Sequence, residues 1–116
     1  MSVLIEENKA VVMRLHEEFF NNHNVEVLDD ILAPNYVNHS ANIHGRERMK
    51  ELYIDLLEEH PTMYVNADDI IAEGDKVAVR WTWFNRDNPI VTGITIHRVR
   101  EGRIVEDWYT TRRLEE

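Results

Sequence analysis

Pro61 separates two periods. Before it, apolar residues recur at intervals of three and four; after it, they alternate with polar ones almost to the last residue. The two spacings belong to different structures, because one helix face repeats about every 3.6 residues whereas a strand switches sides at each step. Consecutive strands without helices between them must pair antiparallel, since a parallel pair needs a long crossover. A chain segregated in this way is an α+β domain, with helices gathered against a meander.

The first half divides further. Leu4, Val11, Val12, Leu15 and Phe19 form one apolar stripe, predicting a helix that Ser2 caps and Asn21-Asn22-His23-Asn24 breaks. Asn24 caps a second, short helix with Val27, Leu28, Ile31 and Leu32 inward, and Pro34 ends it. Tyr36-Val37-Asn38-His39 reads as a short extended piece. A third helix starts near Gly45, places Met49, Leu52, Tyr53, Leu56 and Leu57 on one face, and stops at His60-Pro61.

Four strands follow: 63–72, 76–84, 90–100 and 103–113. Gly102 suits the left-handed position of a three-residue loop, which pairs Val99 with Arg103. That register puts Ile94, Ile96, Arg98, Ile104, Glu106, Trp108, Thr110 and Arg112 on one face. A two-residue loop would instead group Glu106 and Trp108 with His97 and Thr95. Trp108, Thr110 and Arg112 stay together either way.

Composition narrows the functions. The 116 residues suffice for one domain, 1–116, with a core of its own. A net charge of −9 disfavours nucleic acid, whose phosphates need a basic face. The charge is uneven: residues 1–75 carry five basic and sixteen acidic side chains, and residues 76–116 carry eight and six. With no cysteine there is no disulfide framework, thiolate metal site or cysteine nucleophile. No signal-like segment near Met1 and no run of membrane-spanning length stand out, so the expected location is the cytoplasm, with no membrane partner.

Familiar catalytic motifs are missing. Ser2 and Ser40 are the only serines and neither lies in a nucleophile elbow. His39 and His44 lack a third ligand at a recognisable spacing, so no metal is expected. Glu106 and Asp107 are adjacent on a strand and point to opposite faces; an ion pair with Arg98 is the expected role of Glu106. His39, following Tyr36 on the short extended piece, is either a base or ligand contact, or a hydrogen-bonded structural histidine. The aromatic and arginine side chains of the last strands fill space between sheet and helices, meet another subunit, or form an apolar cavity with a few polar groups.

The stretches "YVNHS", "GRERMKELYIDLLEEHP", "IIAEGDKVAVRWTW" and "GITIHRVREGRIVEDW" resemble a SnoaL-like domain. This family belongs to the superfamily named for nuclear transport factor 2, which also contains ketosteroid isomerase. The resemblance implies a cone: a curved antiparallel sheet, here a four-stranded meander plus a short strand, wrapped around three N-terminal helices. It implies a small-molecule pocket at the open end, dimers formed through the sheet, and in some members polyketide ring closure without cofactor. The cyclases' carboxylate base lies four residues after the tryptophan of the last strand, where this chain has Arg112. Arginine stays protonated and cannot take that role. The loop Asn85–Pro89 is also shorter than in cyclases, implying a shallower pocket.

Three readings follow from the resemblance. In one, Tyr36, His39, Trp108, Thr110 and Arg112 bind a small apolar ligand with an acidic or carbonyl group. In another, His39 is the base of a cofactor-free cyclase or isomerase and Arg112 stabilises the enolate. In the third the pocket is filled and the chain is a structural dimer. Val79, Trp81 and Trp83 are the expected dimer face.

Overall fold

The computed structural model describes residues 2–114, and for Ser2 the backbone alone. The Ser2 cap therefore falls on a side chain outside the described residues. Helix α1 (Ser2–Arg14) runs directly into a wider π-helical stretch, Leu15–Asn21. Backbone N–H groups of His23 and Asn24 close it by donating to the carbonyls of Phe19 and Glu18. A 3₁₀ turn (Val25–Val27) follows, with the Asn24 side chain accepting from the Glu26 N–H as the sequence suggests, and leads into α2 (Leu28–Ile31).

The chain extends at Leu32 into β1 (Leu32–Asn38), then β2 (Ile43–His44). Pro34 sits inside β1, where pairing with the last strand lapses between Leu32 and Val37; a residue without an N–H is tolerated at such an irregularity. Gly45, at φ +93, turns the chain into α3 (Arg46–Glu59) and donates its N–H to the Tyr36 carbonyl. The meander is β3 (Met63–Glu73), β4 (Lys76–Asn85), β5 (Asn88–Arg100) and β6 (Arg103–Arg113).

These strands form a curved, unclosed sheet of order β2-β1-β6-β5-β4-β3. The sequence predicted one short strand beside the meander; there are two, with β1 parallel to β6 and β2 antiparallel to β1. The helices fill the concave side. Val12, Phe19, Leu28 and Ile31 meet Val79 and Ile104 there, all with almost no exposed surface.

The last hairpin departs from the predicted register. Glu101 (φ 52) and Gly102 (φ 77) are both left-handed, so the loop has two residues and Arg100 faces Arg103. Two such residues match the twist of the flanking strands, and Glu101 accepts the strain that the three-residue reading avoided. A bulge then intervenes between Arg98 and Val99, so that Arg98 faces Glu106 and Ile96 faces Trp108. The bulge restores the predicted face for every residue but Ile104, which pairs with Val99 and is buried in the core. A second bulge, between Ala67 and Asp69, interrupts the alternation of β3 at Asp68 and Asp69. Both reach Arg80, at 3.7 and 2.6 Å. No helix among the described residues is long and apolar enough to cross a membrane.

Candidate active site

Between the bulges, alternation along β4, β5 and β6 sends odd-numbered side chains toward the helices. Trp81 and Trp83, Thr95 and His97, and Asp107 and Tyr109 line a cavity of about 240 Å³ on the concave side. The π-helical stretch contributes His16 and Phe20, and α3 contributes Tyr53. A cavity of about 150 Å³ is enough for benzene. This one has room for a ring with substituents, and most of its wall is apolar.

One wall is charged. His97 and Asp107 face each other across β5 and β6, 3% and 4% exposed, with His97 Nδ1 2.5 Å from Asp107 Oδ1. The Tyr36 hydroxyl donates to the other carboxylate oxygen at 2.6 Å, and Asn38 Nδ2 donates to that hydroxyl at 3.3 Å. The Asn38 side-chain oxygen accepts from the Ala41 N–H, while the His39 N–H donates to the Asp107 carbonyl. The carboxylate is thus clamped by a phenol and an imidazole in a site with little water contact. Burial first, then the Asp107 charge, raises the pKa of Tyr36 and likewise of Tyr53. Both phenols therefore stay hydrogen-bond donors at any ordinary pH.

Two of the lining residues, Trp83 and His16, hold a buried polar atom without a protein partner among the described residues. Trp81 spends its indole N–H on Thr95 Oγ1 at 2.9 Å, but Trp83 Nε1 is buried without a protein acceptor among the described residues. His16 is 3% exposed and its pKa is lowered to about 4, by burial first and by the neighbouring His97 charge second.

The residues singled out from the sequence lie elsewhere, with one exception. Tyr36 is completely buried and supports Asp107 from behind the cavity wall. His39, Trp108, Thr110 and Arg112 are not among the lining residues. His39 stacks on Trp108 at 5.0 Å and meets Glu106 Oε2 at 2.9 Å, on the convex side of the sheet. Arg98 lies 5.4 Å over the same indole and holds Glu106 at 2.6 Å, which is the predicted ion pair. His39 first and Arg98 second keep the Glu106 carboxyl below its usual pKa. Thr110 and Arg112 are exposed on that convex side.

The terminal strand does line the pocket, but with Asp107 and Tyr109. The expected outward patch is likewise corrected: Val79 is fully buried and Trp81 and Trp83 line the cavity, so these three face the helices. His97 and Asp107 were the pair that sequence reasoning passed over. Their signal was two titratable residues on the otherwise apolar face of adjacent strands, visible once the strands are placed in register.

The profile of the SnoaL-like domain family matches residues 12–107. IdmH of Streptomyces antibioticus, a proposed polyketide cyclase, is 27% identical, with 90% of this chain and 91% of that chain covered and a TM-score of 0.74. A proposed polyketide cyclase from Acidithiobacillus ferrooxidans is 20% identical over 90% of this chain and 87% of that one, with a TM-score of 0.76. A proposed ketosteroid isomerase from Kribbella flavida is 17% identical over 97% and 82%, with a TM-score of 0.79. The last two likenesses are of fold alone. No curated protein matches the chain.

Proposed function

The chain belongs to the SnoaL-like domain family, and from that premise we propose that it is a cofactor-independent acid–base enzyme acting on a small, largely apolar carbonyl compound. The observation that carries this reading is the buried His97–Asp107 pair facing an apolar cavity. Desolvating a carboxylate and an imidazole costs several kcal/mol. A pocket that only bound an apolar ligand would gain nothing from that arrangement. A carboxylate holding Nδ1–H leaves the Nε2 lone pair for the cavity, which is how an aspartate prepares a histidine base.

The chemistry then has defined roles. His97 Nε2 removes a proton from the carbon next to the substrate carbonyl, and Asp107 stabilises the imidazolium that results. The electron pair moves onto the carbonyl oxygen, and the phenol of Tyr53, a lining residue, donates to the enolate. Return of the proton at another carbon gives an isomer. Attack of the enolate carbon on a second carbonyl of the same molecule closes a ring, and the new alkoxide takes the proton back from the His97 imidazolium.

Deuterium exchange tests this without knowledge of the natural substrate. Acetophenone and 1-indanone in D₂O should lose their α-proton signals faster with the enzyme than without it. His97→Gln should abolish the acceleration, and Asp107→Asn should lower it by about 100-fold or more. A bound ketone that exchanges at the same rate with wild type and His97→Gln would remove the catalytic role and leave a binding protein.

The convex face is proposed to meet a second copy of the chain. Ile71, Ala78, Ile96 and Trp108 form one row straight across four strands, and Ile71, Ile94 and Ile96 are 68%, 49% and 38% exposed. Charged side chains flank the row on both sides: Asp69 and Arg80 on one, Glu73, Lys76, Arg98 and Glu106 on the other. Such a surface is complementary to its own two-fold copy. Sedimentation should give a dimer for wild type and a monomer for Ile96→Glu; a monomeric wild type at micromolar concentration sinks the proposal.

A further inference from the structure

Thr95 carries a hydroxyl proton for which the fold provides no acceptor. Its Oγ1 accepts the Trp81 indole N–H at 2.9 Å. An indole nitrogen only donates, whereas a hydroxyl both donates and accepts. That bond therefore occupies a lone pair of Thr95 and turns its O–H elsewhere. Among the described residues no side-chain or backbone group accepts from it. Thr95 lines the cavity and is only partly buried, so its side chain keeps accessible surface there.

The register gives that proton a use. Thr95 and His97 are two residues apart on β5, and both line the cavity. Side chains at that spacing share a face and stand about 6.5–7 Å apart. A ketone spans such a gap: its oxygen and α-carbon are about 2.4 Å apart, and each needs a contact of about 3 Å with its partner. The hydroxyl is also held in place. Gly93 faces Trp81 across β4 and β5, and a Cβ there would stand 2.5 Å from Trp81 Cζ2. The indole is thus seated against β5 at Gly93 and tied to it at Thr95. A donor fixed before the reaction needs no reorganisation as charge develops.

We propose that Thr95 is a catalytic residue, its hydroxyl donating to the substrate oxygen as that oxygen becomes an enolate, and that Trp81 is the positioning residue that aims it. The proposal rests on the cavity being the site of proton abstraction, as above. The α-proton goes to His97 Nε2, the C–H electron pair becomes the enolate π bond, and the carbonyl π pair moves to oxygen. Thr95 keeps its own proton throughout. With Tyr53 on α3 and Thr95 on β5, the oxygen has a donor on each side of the cavity. Both hydrogen bonds strengthen as the oxygen gains charge, which lowers the barrier rather than tightening ground-state binding.

The test uses acetophenone as the probe, in the exchange assay above and in infrared spectra of its carbonyl stretch when bound. Thr95→Val should lower the exchange rate at saturating ketone about 100-fold, leave its pH profile in place, and raise the stretch above its wild-type frequency. Thr95→Ser, which keeps the hydroxyl, should recover most of the rate and the frequency. Trp81→Phe, which keeps the hydroxyl but not its aim, should fall between wild type and Thr95→Val. A wild-type rate and an unmoved frequency in Thr95→Val overturn the proposal. A displaced pH profile also overturns it, because Thr95 then only supports its neighbour His97. If Thr95→Val does not fold, Tyr53→Phe decides: the bound carbonyl should still absorb below its frequency in hexane, and absorption at the hexane frequency overturns the role. Each of these failures leaves the His97 reading standing as long as His97→Gln loses the acceleration. A wild type without acceleration overturns both.

Discussion

Acidification should expose His16. In the unfolded chain its imidazole titrates near 6.5, whereas in the fold burial and the His97 charge hold it at about 4. Between those values the unfolded state binds a proton that the folded state refuses. Stability from this group is therefore complete above pH 6.5 and drains away as the pH falls toward 4, at about 1.4 kcal/mol per pH unit. With the ring 3% exposed, solvent screening does not reduce the effect. Going from about pH 7.5 to 4.5, wild type should lose about 2.5 kcal/mol more than His16→Leu, which has no proton to bind at that position. Urea unfolding of both proteins at intervals across that range, followed by tryptophan fluorescence, measures the difference directly. At about 1–3 kcal/mol per molar urea, the two sets of midpoints should diverge by about 0.8–2.5 M. If both proteins lose stability in parallel, His16 is not held neutral by the fold.

Three other substitutions report on different parts of the argument. Tyr36→Phe removes a buried hydrogen bond to the Asp107 carboxylate and should cost about 1.5–3 kcal/mol in chemical denaturation; a cost under about 0.5 kcal/mol would mean the phenol does not support the carboxylate. Gly93→Ala would set its Cβ 2.5 Å from Trp81 Cζ2 and 2.6 Å from the Thr110 carbonyl oxygen. The backbone oxygen cannot step aside, so a loss of about 1–3 kcal/mol is expected, and an unchanged melting temperature would contradict the packing. Arg112→Ala, on the exposed convex side, should change stability by no more than about 0.5 kcal/mol and leave probe binding intact; loss of binding would return the terminal arginine to the site.

The order of the elements and some of their local detail follow from the residue pattern alone. The change of period at Pro61 separated helices from meander, Asn24 capped its helix, and Arg98 paired with Glu106 because strand neighbours on one face attract when oppositely charged. Alternation also established that Trp108, Thr110 and Arg112 share a face. It left open which face the helices cover, since both carry aromatic, aliphatic and polar residues: Ile96 and Trp108 on one, His97, Asp107 and Tyr109 on the other. Long-range packing settles it. Helices cover the concave side of the curved sheet, and the π-helical turn and α3 enclose the odd-numbered side chains of β4 to β6. The hairpin shows why counting fell short. Glu101 took a left-handed conformation and a bulge later returned the strand to phase, two backbone choices settled by long-range pairing rather than by any local preference. Asp107 and His97 became a site only when that pairing set them face to face.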